Sequence, residues 1–264
     1  MGATQTWRQF HSGSIQLNAG EIHTTNNISM RGVFVIGTDT GVGKTVFAAG
    51  LAWALRRRKI DVGVMKPFAT ASRHFSKSHK SADVAMLAKA AAVDESDSIL
   101  NPSFYKIPAS PLMASELSGR APPDVEDALQ SFQKLLALHA FVIVEGIGGI
   151  MVPLTERHYL ADFIELTGLP VIIVARPSLG TLNHTMLTVG ASRSSGLPIA
   201  GIVINMMPKN PSRVEKNTSS MLAKLTGVPI LGTIPRLSKP GYVSAGKAIE
   251  KAIDLDSLFS VKQL

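Results

Sequence analysis

Val33-Phe34-Val35-Ile36-Gly37-Thr38-Asp39-Thr40-Gly41-Val42-Gly43-Lys44-Thr45 is the stretch whose reading decides the fold. Four apolar residues with no in/out alternation read as a strand covered on both faces. The nine that follow end in the Gly-Lys-Thr of the pattern GxxxxGK(S/T), with one residue more between the first glycine, Gly37, and Gly43, and Thr45 to Arg57 has the apolar spacing of a helix, so the pattern lies between strand and helix as a phosphate loop must. Its glycines allow positive φ and let backbone N–H groups turn inward around phosphate oxygens. Lys44 is expected to neutralise the β- and γ-phosphates and the Thr45 hydroxyl to hold magnesium. Gly41, Val42 and Gly43 supply the cradle, and the helix N-terminus adds its partial positive charge. A dinucleotide-binding Rossmann turn is disfavoured, because its fingerprint has no use for the Lys-Thr pair.

Outward from this loop the same alternation repeats. Apolar runs at Asp61 to Met65, Phe141 to Val144, Pro170 to Ala175, Ile199 to Ile204 and Val228 to Leu231 read as further buried strands. Between them, helical spacing covers Ala82 to Ala92, Val125 to Leu138, Thr181 to Ser195 and Arg213 to Thr226. Gly168-Leu169-Pro170, Gly196-Leu197-Pro198 and Gly227-Val228-Pro229 each put glycine after a helix and proline at the next strand, which is punctuation rather than an internal repeat. The order predicts an α/β fold with a doubly wound, mostly parallel sheet and helices on both faces, as in P-loop nucleotide-binding proteins. Asp94 to Pro123 reads as an excursion near the strand ends, the basic stretch Arg73 to Lys80 as a mobile loop, and Ala245 to Leu255 as a closing helix.

The 264 residues suit one large domain, placed at 31–264. Residues 1–30, rich in Ser, Thr, Asn and Gln without a period, read as an unstructured extension that is neither signal peptide nor organelle presequence, and Met30 is a candidate start. A composition of 45% hydrophobic and 17% charged residues is that of a folded chain, not a disordered one. The net charge of +8 favours anionic ligands without selecting one. Its densest run, Arg56-Arg57-Arg58-Lys59, ends a helix, where the dipole favours cations in any case. With no cysteine, a disulfide framework, a thiolate zinc site and a cysteine nucleophile are excluded, which fits a reducing cytoplasm. Gly, Pro or a charge breaks every apolar run before membrane-spanning length, so the expectation is a soluble protein.

Several polar residues stand at strand ends, the edge where such sheets bind ligands. Lys66 follows the second strand and precedes Pro67; it is either a solvated charge or a second phosphate-directed cation. Glu145 ends the strand Phe141 to Val144 ahead of Gly146-Ile147-Gly148-Gly149, where a P-loop protein needs a carboxylate near its metal and glycines allow close approach. Asp83 is either a first-turn helix acid or a metal partner. Asn205 ends another strand, where an amide pairs with a base or merely caps the sheet.

The loop GTDTGVGKT, the pair Lys66-Pro67, Asp83 within KSADVAML, VEGIGG at Val144 to Gly149, GTLNHTML at Gly180 to Leu187, and Asn205 together resemble the dethiobiotin synthetases, in order from about Gly32 to about Leu237. The resemblance implies an enzyme that joins carbon dioxide to diaminopelargonate with MgATP, giving dethiobiotin, ADP and phosphate for biotin biosynthesis. It implies that Lys44 and Lys66 bracket the transferring phosphoryl group and the carbamate, and that Thr45, Asp83 and Glu145 surround magnesium. It sets Thr40 on the loop beside the substrate, Thr70 in place of a family serine near the reacting amine, and Asn205 against adenine. It gives Gly148, Gly180, Thr181 and Asn183 to the substrate, the last three across the boundary of a homodimer. Gly41 stands where several members carry glutamate, and the tail after Pro235 lacks a ribose-contacting glutamate found in some.

Other classes fit less well. A partner-regulated ATPase switch of the partitioning type shares this fold, but brings an additional lysine early in the loop, where this chain has Gly37, Thr38 and Asp39. A cobyrinate amidase-like synthetase would need its glutaminase cysteine from elsewhere, since this chain has none. A basic nucleic-acid-binding module lacks a recognised motif and an aromatic platform.

Overall fold

A computed structural model describes residues 31–71 and 75–256. The chain runs β1 (Gly32–Gly37), α1 (Lys44–Arg57), β2 (Val62–Met65), β3 (Phe68–Thr70), α2 (Ala82–Ala91), α3 (Asp97–Leu100), β4 (Ser103–Tyr105), α4 (Pro111–Ser118) and α5 (Val125–Leu138). It continues through β5 (Phe141–Glu145), α6 (Leu160–Thr167), β6 (Val171–Ala175), α7 (Thr181–Ser194), β7 (Ile199–Met207), α8 (Arg213–Thr226), β8 (Ile230–Pro235) and α9 (Tyr242–Ala252).

Six strands form one sheet in the order β2-β5-β1-β6-β7-β8, with every pairing parallel. The strand bearing the phosphate loop is therefore central, with Gly32 opposite Val142 on one side and Phe34 opposite Val171 on the other. Successive residues of β1 feed two separate cores. Phe34 and Ile36 join Phe132, Leu135 and Phe163 from α5 and α6, while Val33 and Val35 join Phe47, Leu51 and Leu55 of α1 and Ile249 of α9. This is the expected doubly wound sheet.

Local signals set the helix limits. Ser212 and Glu215 exchange hydrogen bonds in a capping box, Ser212 N to Glu215 Oε2 at 2.7 Å and Glu215 N to Ser212 Oγ at 3.3 Å, and α8 starts there. Asp124 Oδ1 accepts from the N–H groups of Glu126 and Asp127 to open α5. Gly168 and Gly227 end α6 and α8 in the left-handed region, at φ 65° and 66°, as the punctuation reading required.

Three findings differ from the sequence reading. The last strand begins at Ile230 rather than Val228, because Pro229 has no N–H to donate and only its carbonyl reaches the sheet, accepting from Ile202 N at 2.9 Å. The excursion after Asp94 holds elements that no period announced, α3, α4 and β4, and β4 pairs with β3 as a separate parallel ribbon. Helix α6 was not anticipated, although Leu160, Ala161, Phe163 and Ile164 are its buried face; Phe163 sits edge-on to Phe68 at 5.0 Å and to Phe34 at 6.2 Å, each contact worth about 1 kcal/mol beyond its buried area.

In the stretch read as a mobile loop, Phe75 to Lys80 form a hydrogen-bonded turn, with Phe75 N donating to Lys80 O and His79 Nδ1 set 2.8 Å from Asp97 Oδ1. Residues 72–74 of that stretch and the extension 1–30 lie outside the described residues. Among the described residues no helix is long and apolar enough to cross a membrane.

Candidate active site

The loop after β1 wraps the N-terminus of α1 with Gly41 at φ 74° and Gly43 at φ 90°. Lys44 leaves the first turn of α1 and folds back across the loop, donating to Asp39 O at 3.0 Å and to Gly148 O at 2.8 Å. That return path needs Gly37, where a Cβ would lie 2.8 Å from Lys44 Nζ. Gly43 is equally constrained, because a Cβ there would come within 2.3 Å of Asn205 Nδ2. Burial holds the Lys44 ammonium down to about 8; Glu145 pulls it up and Lys66 pushes it lower, so burial wins.

The ends of β2 and β5 bring a second cluster beside the loop. Lys66, 6% exposed, donates to Glu145 Oε1 at 2.7 Å and to Asp83 Oδ2 at 2.8 Å. Thr45 Oγ1 donates to the same Glu145 oxygen at 2.7 Å. Burial alone would lower the Lys66 ammonium, but the two carboxylates outweigh it and hold the proton on more firmly than usual. Burial raises the Glu145 carboxyl, against the pull of Lys66, while Asp83 is held below the usual range because Lys66 outweighs its desolvation. Glu145 Oε2 is buried and accepts no hydrogen bond. Lys66 itself is fixed from behind: its N–H donates to Leu100 O at 2.8 Å, and its carbonyl accepts from Asn101 Nδ2 at 2.6 Å.

A cavity of about 680 Å³ opens over both clusters. Among the residues expected at the site, Thr40, Gly41, Gly43, Lys44, Thr45, Lys66, Thr70, Asp83, Glu145 and Gly148 line it. Val42 does not: its side chain is in the core beneath, 1% exposed, and its carbonyl accepts from Asn205 Nδ2 at 2.9 Å. Asn205 is thus a brace under the loop, 6% exposed, as well as a candidate base contact. Gly180, Thr181 and Asn183 stand at the start of α7 and are absent from this cavity.

Sequence reasoning missed the cavity's other wall, Pro108, Ala109, Ser110 and Val152. The Ser-Pro pair at 110 and 111 was a readable helix start, for Ser110 Oγ accepts from Met113 N at 3.4 Å and Pro111 opens α4. It also missed Arg176, which follows β6 and places a guanidinium nitrogen 3.7 Å from Asp39 Oδ2. Among the described residues no three His, Cys, Asp or Glu side chains converge, so a metal here would have Thr45, two carboxylates and oxygens of a phosphate ligand, a donor set that suits magnesium.

A family model described as an AAA domain matches residues 31–241. The ATP-dependent dethiobiotin synthetase of Nitrosopumilus maritimus is 44% identical over 229 residues, covering 87% of this chain and 99% of the relative. The enzyme of the same name from Bacillus subtilis is 44% identical over 232 residues, 88% of this chain and 98% of the relative. Among solved structures, the septum site-determining protein MinD with Mg-ADP from Pyrococcus horikoshii superposes with a TM-score of 0.52 at 16% identity, covering 84% of this chain and 95% of that one. A ParA family ATPase from Chlorobium tepidum gives 0.52 at 19% identity, covering 84% and 98%. Those two likenesses show a common fold and nothing narrower. The near-complete alignment with the synthetases shows the family: this chain belongs to the dethiobiotin synthetases.

Proposed function

We propose that the protein joins carbon dioxide to 7,8-diaminopelargonate and closes the ureido ring with MgATP, releasing dethiobiotin, ADP and phosphate. The observation that carries this reading is the convergence of two buried lysines and two carboxylates on one cavity, in a chain with no cysteine. That set suits charge stabilisation of several anions held in line rather than covalent catalysis by the protein.

One substrate amine takes up carbon dioxide and loses a proton, giving a carbamate. A carbamate oxygen attacks the γ-phosphorus while the bond to the ADP oxygen breaks. The second amine then attacks the carbonyl carbon of the mixed anhydride, the ring closes, and phosphate leaves. Lys44 holds the β- and γ-phosphates with the loop N–H groups, and Lys66 meets the charge that develops on the transferring group. Thr40, Thr70 and Gly148 border the diamine on the cavity wall. Asn205 fixes the loop through Val42 and offers its amide to the adenine. Thr45, Asp83 and Glu145 would hold magnesium, which fits the buried, unbonded Glu145 Oε2; bound there, it supplies charge neutralisation to the phosphate oxygens. Phosphate release measured with ATP, diaminopelargonate and bicarbonate, each omitted in turn, tests the assignment. Equal release without the diamine would overturn it.

The same reading makes the enzyme a cytoplasmic homodimer with shared sites. Leu179, Met186 and Leu187, 96%, 44% and 65% exposed, are apolar side chains left open before and along the first half of α7, the helix whose cap and first turn hold Gly180, Thr181 and Asn183. Gly180 has φ 90°; the Thr181 N–H is taken by Ser178 O at 3.1 Å, and the first-turn N–H groups of Leu182 and Asn183 suit the substrate's carboxylate. These residues are outside the 680 Å³ cavity, and membership of the family is what implies that they act on a neighbouring subunit's substrate. Mixing inactive Lys66→Ala with inactive Gly180→Asp/Asn183→Asp should restore up to about half of the native activity per heterodimer, because one of its two sites is intact. If no mixing ratio restores activity, the cross-subunit assignment is wrong.

A further inference from the structure

Lys66 is aimed at the wrong partners for a group that serves a phosphate. Its ammonium is held between two acids, 2.7 Å from Glu145 Oε1 and 2.8 Å from Asp83 Oδ2, whereas Lys44 touches only the carbonyls of Asp39 and Gly148. The same two acids are the proposed magnesium ligands. Glu145 Oε1 already accepts from both Lys66 and Thr45. A divalent cation added to this cluster with Lys66 in place would set three positive charges against two negative ones in a largely buried space, where charge repulsion is poorly screened. Removing both cations leaves two carboxylates facing each other, which is no better. Lys66 alone leaves the two acids one positive charge short, the metal alone neutralises them, and the two cations together compete for the same oxygens.

We infer that Lys66 is a resident counter-ion that gives up Glu145 and Asp83 when magnesium arrives with the nucleotide, and that this release delivers its ammonium to the transferring phosphoryl group. The inference rests on the proposed function for the identity of the metal and deepens it: the second lysine is withheld until the metal is present, so phosphoryl transfer is armed by the complete MgATP complex. Four methylenes between Cα and the ammonium give Lys66 the reach to change partners without moving β2.

Manganese is the probe, titrated by electron paramagnetic resonance into the full-length protein with no nucleotide. Lys66→Met keeps the stem and removes the competitor, so it should bind manganese at least about tenfold more tightly than the native protein, in line with loss of a direct rival for the same oxygens. Lys44→Met removes one nearby charge that touches neither acid, and should tighten manganese by a clearly smaller factor. Equal tightening in the two variants, or none in Lys66→Met, overturns the exchange. Because Lys66→Met leaves buried acids without a cation and its folding is at risk, the native protein gives a second readout. With 15N-lysine labelling, the buried Lys66 ammonium should give a slowly exchanging signal that is lost or shifted on saturation with magnesium and a non-hydrolysable ATP analogue. A signal that stays in place overturns the inference. Neither readout uses diaminopelargonate, so failure of the diamine-dependent phosphate assay would count against the substrate and leave the exchange standing.

Discussion

Raising pH should weaken nucleotide binding through one residue. Burial holds the Lys44 ammonium at about 8 instead of 10.5, so above pH 8 the loop's lysine is mostly neutral. A nucleotide brings several negative charges against it and restores the proton, so binding above pH 8 takes up a proton from solvent. At about pH 9 the free protein carries a Lys44 proton in roughly one molecule in ten, and ADP affinity should be about tenfold below its value at pH 7, a loss of about 1.4 kcal/mol. Above pH 8 the nucleotide phosphates are essentially fully ionised and contribute no proton of their own. Calorimetric titration with ADP, without divalent cation and in buffers of different ionisation enthalpy, measures the uptake directly; it should approach one proton at high pH, and Lys44→Gln should abolish it. For stability the sign is the reverse of a paired lysine. The folded pKa lies below the unfolded one, so the unfolded chain binds more protons between about 8 and 10.5, and the protein without nucleotide should gain stability from Lys44 as pH rises through that window. Zero proton uptake at pH 9 would refute the burial argument for Lys44.

The two lysines should fail differently. Lys44→Ala is expected to weaken ATP binding and turnover together, whereas Lys66→Ala should lower kcat by roughly a hundredfold or more with a smaller effect on ATP affinity, and parallel binding and turnover measurements separate them. Asp83→Asn and Glu145→Gln should each raise the magnesium concentration for half-maximal turnover by about tenfold with the fold intact by circular dichroism; an unchanged magnesium curve in both returns these acids to a purely structural role. Gly43→Ala forces a side chain to φ 90°, at about 1–2 kcal/mol, and drives its methyl into Asn205, so melting should occur several degrees lower and nucleotide affinity should fall more than tenfold. A Gly43→Ala protein with native affinity would show that the loop relaxes around Asn205.

What the sequence revealed and concealed follows from how far each signal reaches along the chain. The loop, the six sheet strands and the six longest helices were legible, with the ends of β8 and α9 displaced by a few residues, because each is specified within a dozen residues by apolar spacing, caps or glycine. Lys66, Asp83 and Glu145 could be singled out by position at strand and helix ends, but their meeting at 2.7–2.8 Å depends on β2 and β5 lying side by side, which no local pattern encodes. The β3–β4 ribbon was invisible for a related reason: each strand has three residues, too few for a period, and they pair across two intervening helices. Asn205 as a brace under Val42 likewise joins two segments that only the finished sheet brings together.

The central place of β1 also has a temporal meaning. Its neighbours β5 and β6 end at Glu145 and Ala175, and the first residue of the phosphate loop is tied to the second of them, Thr38 N donating to Val174 O at 3.1 Å. A ribosome that has just made the loop must work for on the order of ten seconds before both flanking strands exist, at ~5–20 residues per second. Until Glu145 is made Val33 to Ile36 is an apolar strand with no partner, and until Ala175 it has a partner on one side only. A nascent chain arrested before Ala175 thus carries the whole nucleotide-binding motif and should bind no nucleotide, because the loop acquires its shape from strands not yet translated.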